Sequence, residues 1–255
     1  MQKERVKDMG LFDRLKKRQQ PQDWCAAVVV AAGSSQRMGF DKLMASVGDT
    51  PVLVHTLRSI SASQSVREIV LVVREELIVP ASQLCSAFGL AKVKCVVRGG
   101  KSRLESARLG TLAVSDEAEL IAIHDGARPF PSIELIDAAI EAARQSGAAA
   151  PAVPVKDTIK VARDGVVEET LDRARLFAVQ TPQVFEASLI RAALQKALDD
   201  GAAVTDDCSA VERLGMRVVL TAGDERNIKL TTPADFAAAE QLIGEAYGDA
   251  DRLRI

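Results

Sequence analysis

Cys25-Ala-Ala-Val-Val-Val-Ala-Ala32 is an unbroken run of small and β-branched residues leading straight into Gly33-Ser34-Ser35. A run with no polar face forms a strand only where both faces are covered, as in a parallel sheet layered between helices. The chain beyond it keeps that rhythm. Pro51–Ser63 reads as a helix with Val52, Leu53, Leu57 and Ile60 on one side, and Glu68–Val73 as the next strand. Leu77–Phe88 reads as a helix or irregular crossover, Val93–Val97 as a strand, and Ser102–Val114 as a helix. Ser102 followed three residues later by Glu105 is a capping-box pattern. Leu120–His124 and Ala148–Val155 read as strands on either side of a helix over Ile133–Gln145, which Gly147 can end. Strands alternating with helical stretches imply βαβ crossovers. The expected class is α/β, a Rossmann-like, mostly parallel sheet with helices on both faces.

Between Pro154 and Arg175 the rhythm breaks. Thr158–Ala162 and Val166–Leu171 flank Arg163-Asp164-Gly165, the pattern of a hairpin around an Asp-Gly turn. A hairpin with little core beneath it needs something to pack against, and a second copy of the chain is the economical choice. The expectation is a homodimer formed through an arm at about 154–175. The fold then resumes with Phe177–Thr181, helices over Ala187–Asp199 and Asp206–Leu214, a strand at Arg217–Thr221 and a helix over Pro233–Tyr247. The expected organisation is an extension (1–24), one domain (25–247) and a tail (248–255). The extension is basic: Lys3–Arg18 carries seven Lys and Arg against three acidic residues and has a rough apolar helical face.

Composition removes several function classes. Lys and Arg total 33 against 35 Asp and Glu, a net charge of −2, which argues against a generally basic nucleic-acid binder. Aromatics at 4% leave few base-stacking platforms. No apolar run approaches the roughly 20 residues of a membrane span, and the first residues lack a signal-peptide apolar region. Cys25, Cys85, Cys95 and Cys208 are scattered without metal-ligand spacing, which fits a reduced, cytoplasmic protein without structural zinc.

Chemistry concentrates where strands end. Ala31-Ala-Gly-Ser-Ser-Gln-Arg-Met-Gly39, then Asp41-Lys42, lies at the carboxyl end of the first strand, where open α/β sheets place ligands. Backbone N–H groups of such a turn form an anion nest, and Arg37 and Lys42 add charge suited to a triphosphate. The stretch matches neither the P-loop nor the dinucleotide fingerprint. Ile123-His-Asp-Gly-Ala-Arg-Pro-Phe130 ends another strand. Asp125 there is a hard oxygen donor for Mg²⁺, which takes one or two carboxylates and fills its shell with phosphate oxygens. The alternative is a turn cap paired with Arg128. His124 reads better as a hydrogen-bonded scaffold residue than as a base. Arg98-Gly-Gly-Lys-Ser-Arg103 opens the helix carrying Ser106 and suits a phosphate or a base edge. Asp172-Arg173, Thr205-Asp206-Asp207 and Asn227-Ile-Lys229 fit either a phosphorylated substrate or solvated surface.

In order along the chain, the Ala31–Lys42 loop, Gly99-Gly…Arg103…Ser106, His124-Asp-Gly-Ala-Arg-Pro129, Asp157-Thr-Ile-Lys160, Thr181-Pro-Gln183, Thr205-Asp206 and Asn227-Ile-Lys-Leu-Thr231 resemble the 2-C-methyl-D-erythritol 4-phosphate cytidylyltransferases. The resemblance spans roughly Cys25 to Tyr247. It implies a homodimeric enzyme of isoprenoid precursor synthesis using CTP, a polyol phosphate and Mg²⁺ or another divalent cation. It implies that Arg37, Lys42 and Lys229 act on the reacting phosphates and that Asp125 binds the metal. Ala31, Ala32, Gly33, Gly99, Arg103 and Ser106 would hold the cytidine. Thr158 and Arg173 would reach from the arm into the neighbouring subunit, with Asp125, Arg128, Thr181 and Thr205 on the acceptor side. The chain departs from the family's usual Lys-Gln at Lys42-Leu43 and from its glycine pair at Gly39-Phe40. Ribitol 5-phosphate cytidylyltransferases share the architecture, as would a catalytically silent nucleotide-binding module.

Overall fold

The computed structural model describes residues 24–33 and 41–252, so residues 1–23 of the extension with the helical face expected for it, Arg37 and the Gly39-Phe40 pair lie outside the described residues. The central sheet runs β10-β7-β11-β6-β1-β4-β5, with β12 also paired to β7. Its parallel half is β1 (Cys25–Ala31), β4 (Val66–Val73), β5 (Val93–Arg98) and β6 (Leu120–Asp125). β7 (Ala148–Pro154) and β12 (Val219–Ala222) pair in parallel, whereas β10 (Phe177–Val179) and β11 (Gln183–Glu186) run antiparallel to their neighbours. The α/β class and mostly parallel sheet are as the alternation predicts.

The first strand shows why no polar residue fits there. Cys25, Ala27, Val29 and Ala31 face one layer, built from α1 (Val52–Ala62), α2 (Ile78–Ala87), α4 (Ile133–Ser146) and α7 (Pro233–Arg252). Ala26 and Val28 face the other, built from α3 (Arg103–Leu112), α5 (Ala187–Asp199) and α6 (Asp207–Glu212). The two-residue side-chain period of a strand therefore puts every position of β1 into one core or the other. Among the described residues no helix is long and apolar enough to cross a membrane.

Several details differ from expectation. β11 is central yet only four residues long, and it follows Pro182, so propensity gives it no signal. A two-residue ladder of β2 (Ser46–Val47) and β3 (Thr50–Pro51) also went unpredicted. Ser102 does cap α3, accepting from the Glu105 N–H at 3.1 Å, but Glu105 accepts from the Lys101 N–H at 2.7 Å instead of closing the box on Ser102. The helix expected to end at Leu214 stops at Glu212, and the last helix continues to Arg252. Gly147 ends α4 in the left-handed region at φ 82°.

The arm is β8 (Lys160–Arg163) and β9 (Val166–Thr170), a separate two-stranded sheet. Asp164 (φ 50°) and Gly165 (φ 79°) both take positive φ, which a two-residue turn of the matching twist requires. Every residue of both strands is exposed, including Val161, Val166 and Val167.

One glycine fixes how α3 sits. A Cβ on Gly110 would lie 2.3 Å from Val28 Cγ1 and 2.7 Å from Val72 Cγ2, so a side chain there collides with β1 and β4. Gly110→Ala gains about 1 kcal/mol of helix propensity but overpacks the layer at a cost of about 1–3 kcal/mol. Net destabilisation is expected, with a fall in melting temperature of about 2–4 °C per kcal/mol for a chain this long. A melting temperature equal to or above that of the natural protein would show that the layer yields.

Candidate active site

Strand register brings the strand ends of the sequence motifs into line. Ala31 pairs with Val73, Val73 with Arg98, and Val30 with Asp125. Gly33, Arg74, Gly99 and Gly126 therefore leave the sheet along one edge. Gly33 and Gly126 line a cleft of about 530 Å³ whose walls also include Ala31, Ala32, Lys42, Gly100–Arg103, Ser106, Asp125 and Lys229, whereas Gly99 and Arg74 do not line it. A Cβ on Gly99 would lie 2.4 Å from the Ala32 Cβ, so only glycine lets these two loops meet. Ser106 fixes the second loop, its hydroxyl accepting from the Gly100 N–H at 3.1 Å and donating to the Ser102 carbonyl at 2.8 Å.

Asp125 is the charged centre of the cleft. Lys229 Nζ lies 2.7 Å from Oδ2, Arg103 Nε 3.3 Å from Oδ1, and Arg128 Nε 3.9 Å from Oδ2. Burial alone would raise its carboxyl, but Arg103, Lys229 and Arg128 outweigh that and hold it well below the usual carboxylate range. The simple pairing of Asp125 with Arg128 is thus the longest of the three contacts. Arg128 spends Nη1 on the Asn227 carbonyl at 2.6 Å, tying its loop to the segment that carries Lys229. Lys42 donates to the Leu230 carbonyl at 2.9 Å on that same segment.

A neutral relay lies beneath. Asp125 N–H donates to Thr181 Oγ1 at 3.1 Å, Thr181 is 3.0 Å from His124 Nδ1, and His124 Nε2 is 3.0 Å from the Arg128 carbonyl. A carbonyl only accepts, so Nε2 carries the proton, Nδ1 accepts, and the Thr181 hydroxyl donates to it. Burial pushes the fully buried His124 down to about 4. Both ring nitrogens are occupied, which makes His124 a scaffold residue. Thr181, expected on the acceptor side, is itself buried and serves this relay.

Other expected residues stand apart. Thr205 is exposed just before α6, and Thr158 and Arg173 lie exposed on the arm, with Arg173 donating to the Lys156 carbonyl at 2.8 Å. None of the three lines this cleft.

Arg74 escaped the sequence reading, and Asp207, Gln183 and Asn227 were named there only within motifs, without the contacts they make. Arg74 donates to Gly33 O at 3.4 Å and to Asp41 Oδ2 at 2.6 Å, bracketing the first loop. Its place just after β4 was the available signal. Asp207 holds Arg103 through both oxygens at 2.9 and 2.7 Å. The Gln183 amide oxygen accepts from the Asp207 and Cys208 N–H groups at 3.0 and 3.1 Å. Asn227 donates to the Thr181 carbonyl at 2.9 Å. Each acts across long sequence separations that no local pattern records.

Residues 25–245 match the family model of 2-C-methyl-D-erythritol 4-phosphate cytidylyltransferase (IspD). The chain belongs to that family. It is 44% identical over 225 residues to the 2-C-methyl-D-erythritol 4-phosphate cytidylyltransferase of Geobacillus kaustophilus, covering 88% of this chain and 98% of the relative. The crystal structure of 4-diphosphocytidyl-2C-methyl-D-erythritol synthase from Anaerococcus prevotii superposes with a TM-score of 0.78 at 32% identity, covering 87% of this chain and 96% of the other. The cytidylyltransferase structure from Thermus thermophilus gives 0.71 at 31% identity, covering 85% and 97%. In this cytidylyltransferase-family chain the cleft, Asp125 and Lys229 come together from three distant segments.

The relay sets a pH window. The chain has two histidines, so their ring protons are resolvable by NMR. His124 is expected to titrate near 4 against about 6.5 unfolded. The unfolded state then binds the extra proton between those values. This group's contribution is complete above pH 6.5 and falls with pH down to 4, by at most about 1.4 kcal/mol per unit. Titration of His124 near 6.5 would overturn the assignment.

Proposed function

We propose that the protein transfers the cytidylyl group of CTP to 2-C-methyl-D-erythritol 4-phosphate, releasing pyrophosphate, in isoprenoid precursor synthesis. The observation that carries this reading is the Asp125–Lys229–Arg103 cluster in a glycine-walled cleft at the ends of β1 and β6, in a chain of this family. The acceptor's phosphate is already an anion, so no protein base is required, consistent with a buried His124. The obstacle is repulsion between two polyanions. Lys42 and Lys229, with Arg37 from the first loop, offset it by holding phosphate oxygens. Fixing both reactants in line contributes up to roughly 7–11 kcal/mol.

Mg²⁺ or another divalent cation fits this cleft in one way. Among the described residues no cluster of three acidic, histidine or cysteine ligands exists, but Mg²⁺ bound to a nucleotide requires only one or two carboxylates. Asp125, kept ionised by its cationic neighbours, is that carboxylate. The ion would supply charge neutralisation on the phosphates.

Ala31–Gly33 and Gly100 form backbone walls suited to the edge of a cytosine, with Gly99 packed behind them against Ala32, and Arg103 and Ser106 support them. The acceptor would lie towards Arg128 and Thr205, with Thr158 and Arg173 delivered from a second subunit. The exposed valines of the arm supply the apolar surface such a homodimer would bury. The acceptor assignment rests on the family. Ribitol 5-phosphate is therefore the control substrate.

Pyrophosphate release with CTP and Mg²⁺ is expected with 2-C-methyl-D-erythritol 4-phosphate and not with ribitol 5-phosphate. The reverse would reassign the acceptor, and silence with both would leave only a nucleotide-binding module. Lys42→Ala and Asp125→Asn are expected to lose about 10²–10³-fold in turnover while remaining folded; normal rates in both would sink the proposal. Val166→Asp with Val167→Asp on the arm is expected to give a monomer by light scattering, with acceptor turnover lost.

A further inference from the structure

Arg103 stands between two carboxylates and is divided unequally between them. Its two terminal nitrogens make a fork on Asp207 at 2.9 and 2.7 Å, while only Nε reaches Asp125, at 3.3 Å. Asp207 is 1% exposed and has no outlet to solvent. Its backbone is pinned as well, its N–H and that of Cys208 both donating to Gln183 Oε1, and Gln183 Nε2 donating to Asp206 Oδ2 at 2.8 Å. Asp207 is therefore a fixed carboxylate group that takes the better half of the guanidinium. It does not line the cleft, so it is placed to act through Arg103.

The charge count around Asp125 shows what this does. Arg103, Lys229 and Arg128 all lie within 3.9 Å of its oxygens. With Asp207 ionised, one of these three cations is already neutralised by a partner of its own. Without that charge, three cations would face a single carboxylate, and the fork of Arg103 would be free to close on both of its oxygens. A bidentate guanidinium–carboxylate pair is the geometry that fork prefers. It would cover the oxygens a divalent cation needs.

We propose that Asp207 is a positioning residue that holds the Arg103 guanidinium off Asp125 and so keeps that carboxylate open to the divalent cation that accompanies the nucleotide. The proposal rests on the reading of the cleft as a metal–CTP site. It adds to that reading a buried residue, on a different helix from Arg103, that sets how strongly metal and nucleotide bind together. The coupling between the two ligands is then set by an ion pair of which one member, Asp207, lies outside the cleft.

The measurement is CTP affinity by titration calorimetry on the full chain, with and without Mg²⁺, alongside thermal melts. The natural protein is expected to bind CTP more tightly with Mg²⁺. Asp207→Asn is expected to lose most of that enhancement, at least about tenfold, while its Mg²⁺-free affinity changes little. In Arg103→Met with Asp207→Asn, which removes both charges and strands neither, the enhancement is expected to return. Full enhancement in Asp207→Asn would overturn the proposal. So would its continued loss in the double variant, because Asp207 would then act directly or through the fold. Where melts show Asp207→Asn unfolded, Arg103→Lys decides. A single ammonium held by Asp207 leaves Asp125 less covered, so enhancement at or above the natural level is expected and a loss refutes the idea. Absence of CTP binding by the natural protein would be a failure of the functional reading instead.

Discussion

The fold around the cleft depends on keeping one carboxylate charged where water is scarce. Removing a carboxylate from water costs several kcal/mol unless cations and hydrogen bonds replace the lost hydration. Asp125 is 8% exposed, and its replacement shell comes from three separate places: Arg103 at the start of α3, Arg128 on its own loop, and Lys229 before α7. Because none of these can move away without stranding a buried charge, the same pairs that neutralise Asp125 also fasten α3, the β6 loop and the 227–231 segment into one unit. The cost of burial thereby becomes positional order.

Neutral hydrogen bonds complete the unit from below. Asn227 reaches both the Gln180 amide and the Thr181 carbonyl, and Gln180 reaches the backbone of Asp224 through both ends of its amide. The Leu230 N–H donates to the Ala127 carbonyl at 2.8 Å. These links are neutral, so they add no charge to the balance just described. A histidine held unprotonated by burial fits there for the same reason. The relay works only with Nδ1 as acceptor, a role the imidazolium cannot fill.

How much of this was legible follows from the range of each interaction. β1, β4, β6 and the flanking helices are visible in the sequence because burial on both faces, or on one helical stripe, writes a local period. The Asp164-Gly165 turn is visible because positive φ selects its residues. Glycine and charge at strand ends singled out Ala31–Gly33, Lys42 and Asp125, which line one cleft, and Gly99, which packs against Ala32 beside it. β11 was not legible: four residues after a proline, held between β6 and β7, owe their conformation to neighbours far away in sequence. Asp207 was visible only as one acidic residue in a polar run, and a solvated surface explained it equally well. Its partner lies 104 positions away. Thr181 was singled out for an acceptor, whereas the bonds its hydroxyl makes are to the Asp125 N–H and His124 Nδ1, because sequence order shows a hydroxyl without showing which neighbours it meets.

The same division of range explains how a chain with net charge −2 presents a site for a polyanion. Average charge governs what a surface meets beyond a Debye length, about 8 Å at physiological salt. Inside the cleft the distances are 2.7 to 3.9 Å around Asp125, and low-dielectric walls strengthen the local field. The chain carries its acidic excess elsewhere, for instance in the Glu75-Glu76 and Asp199-Asp200 pairs, where water screens it. Within the cleft the cations outnumber the one carboxylate they share. A phosphate arriving there completes the coordination of donors already held in place, so the ordering of those side chains is largely met in folding and less of it remains to be met in binding.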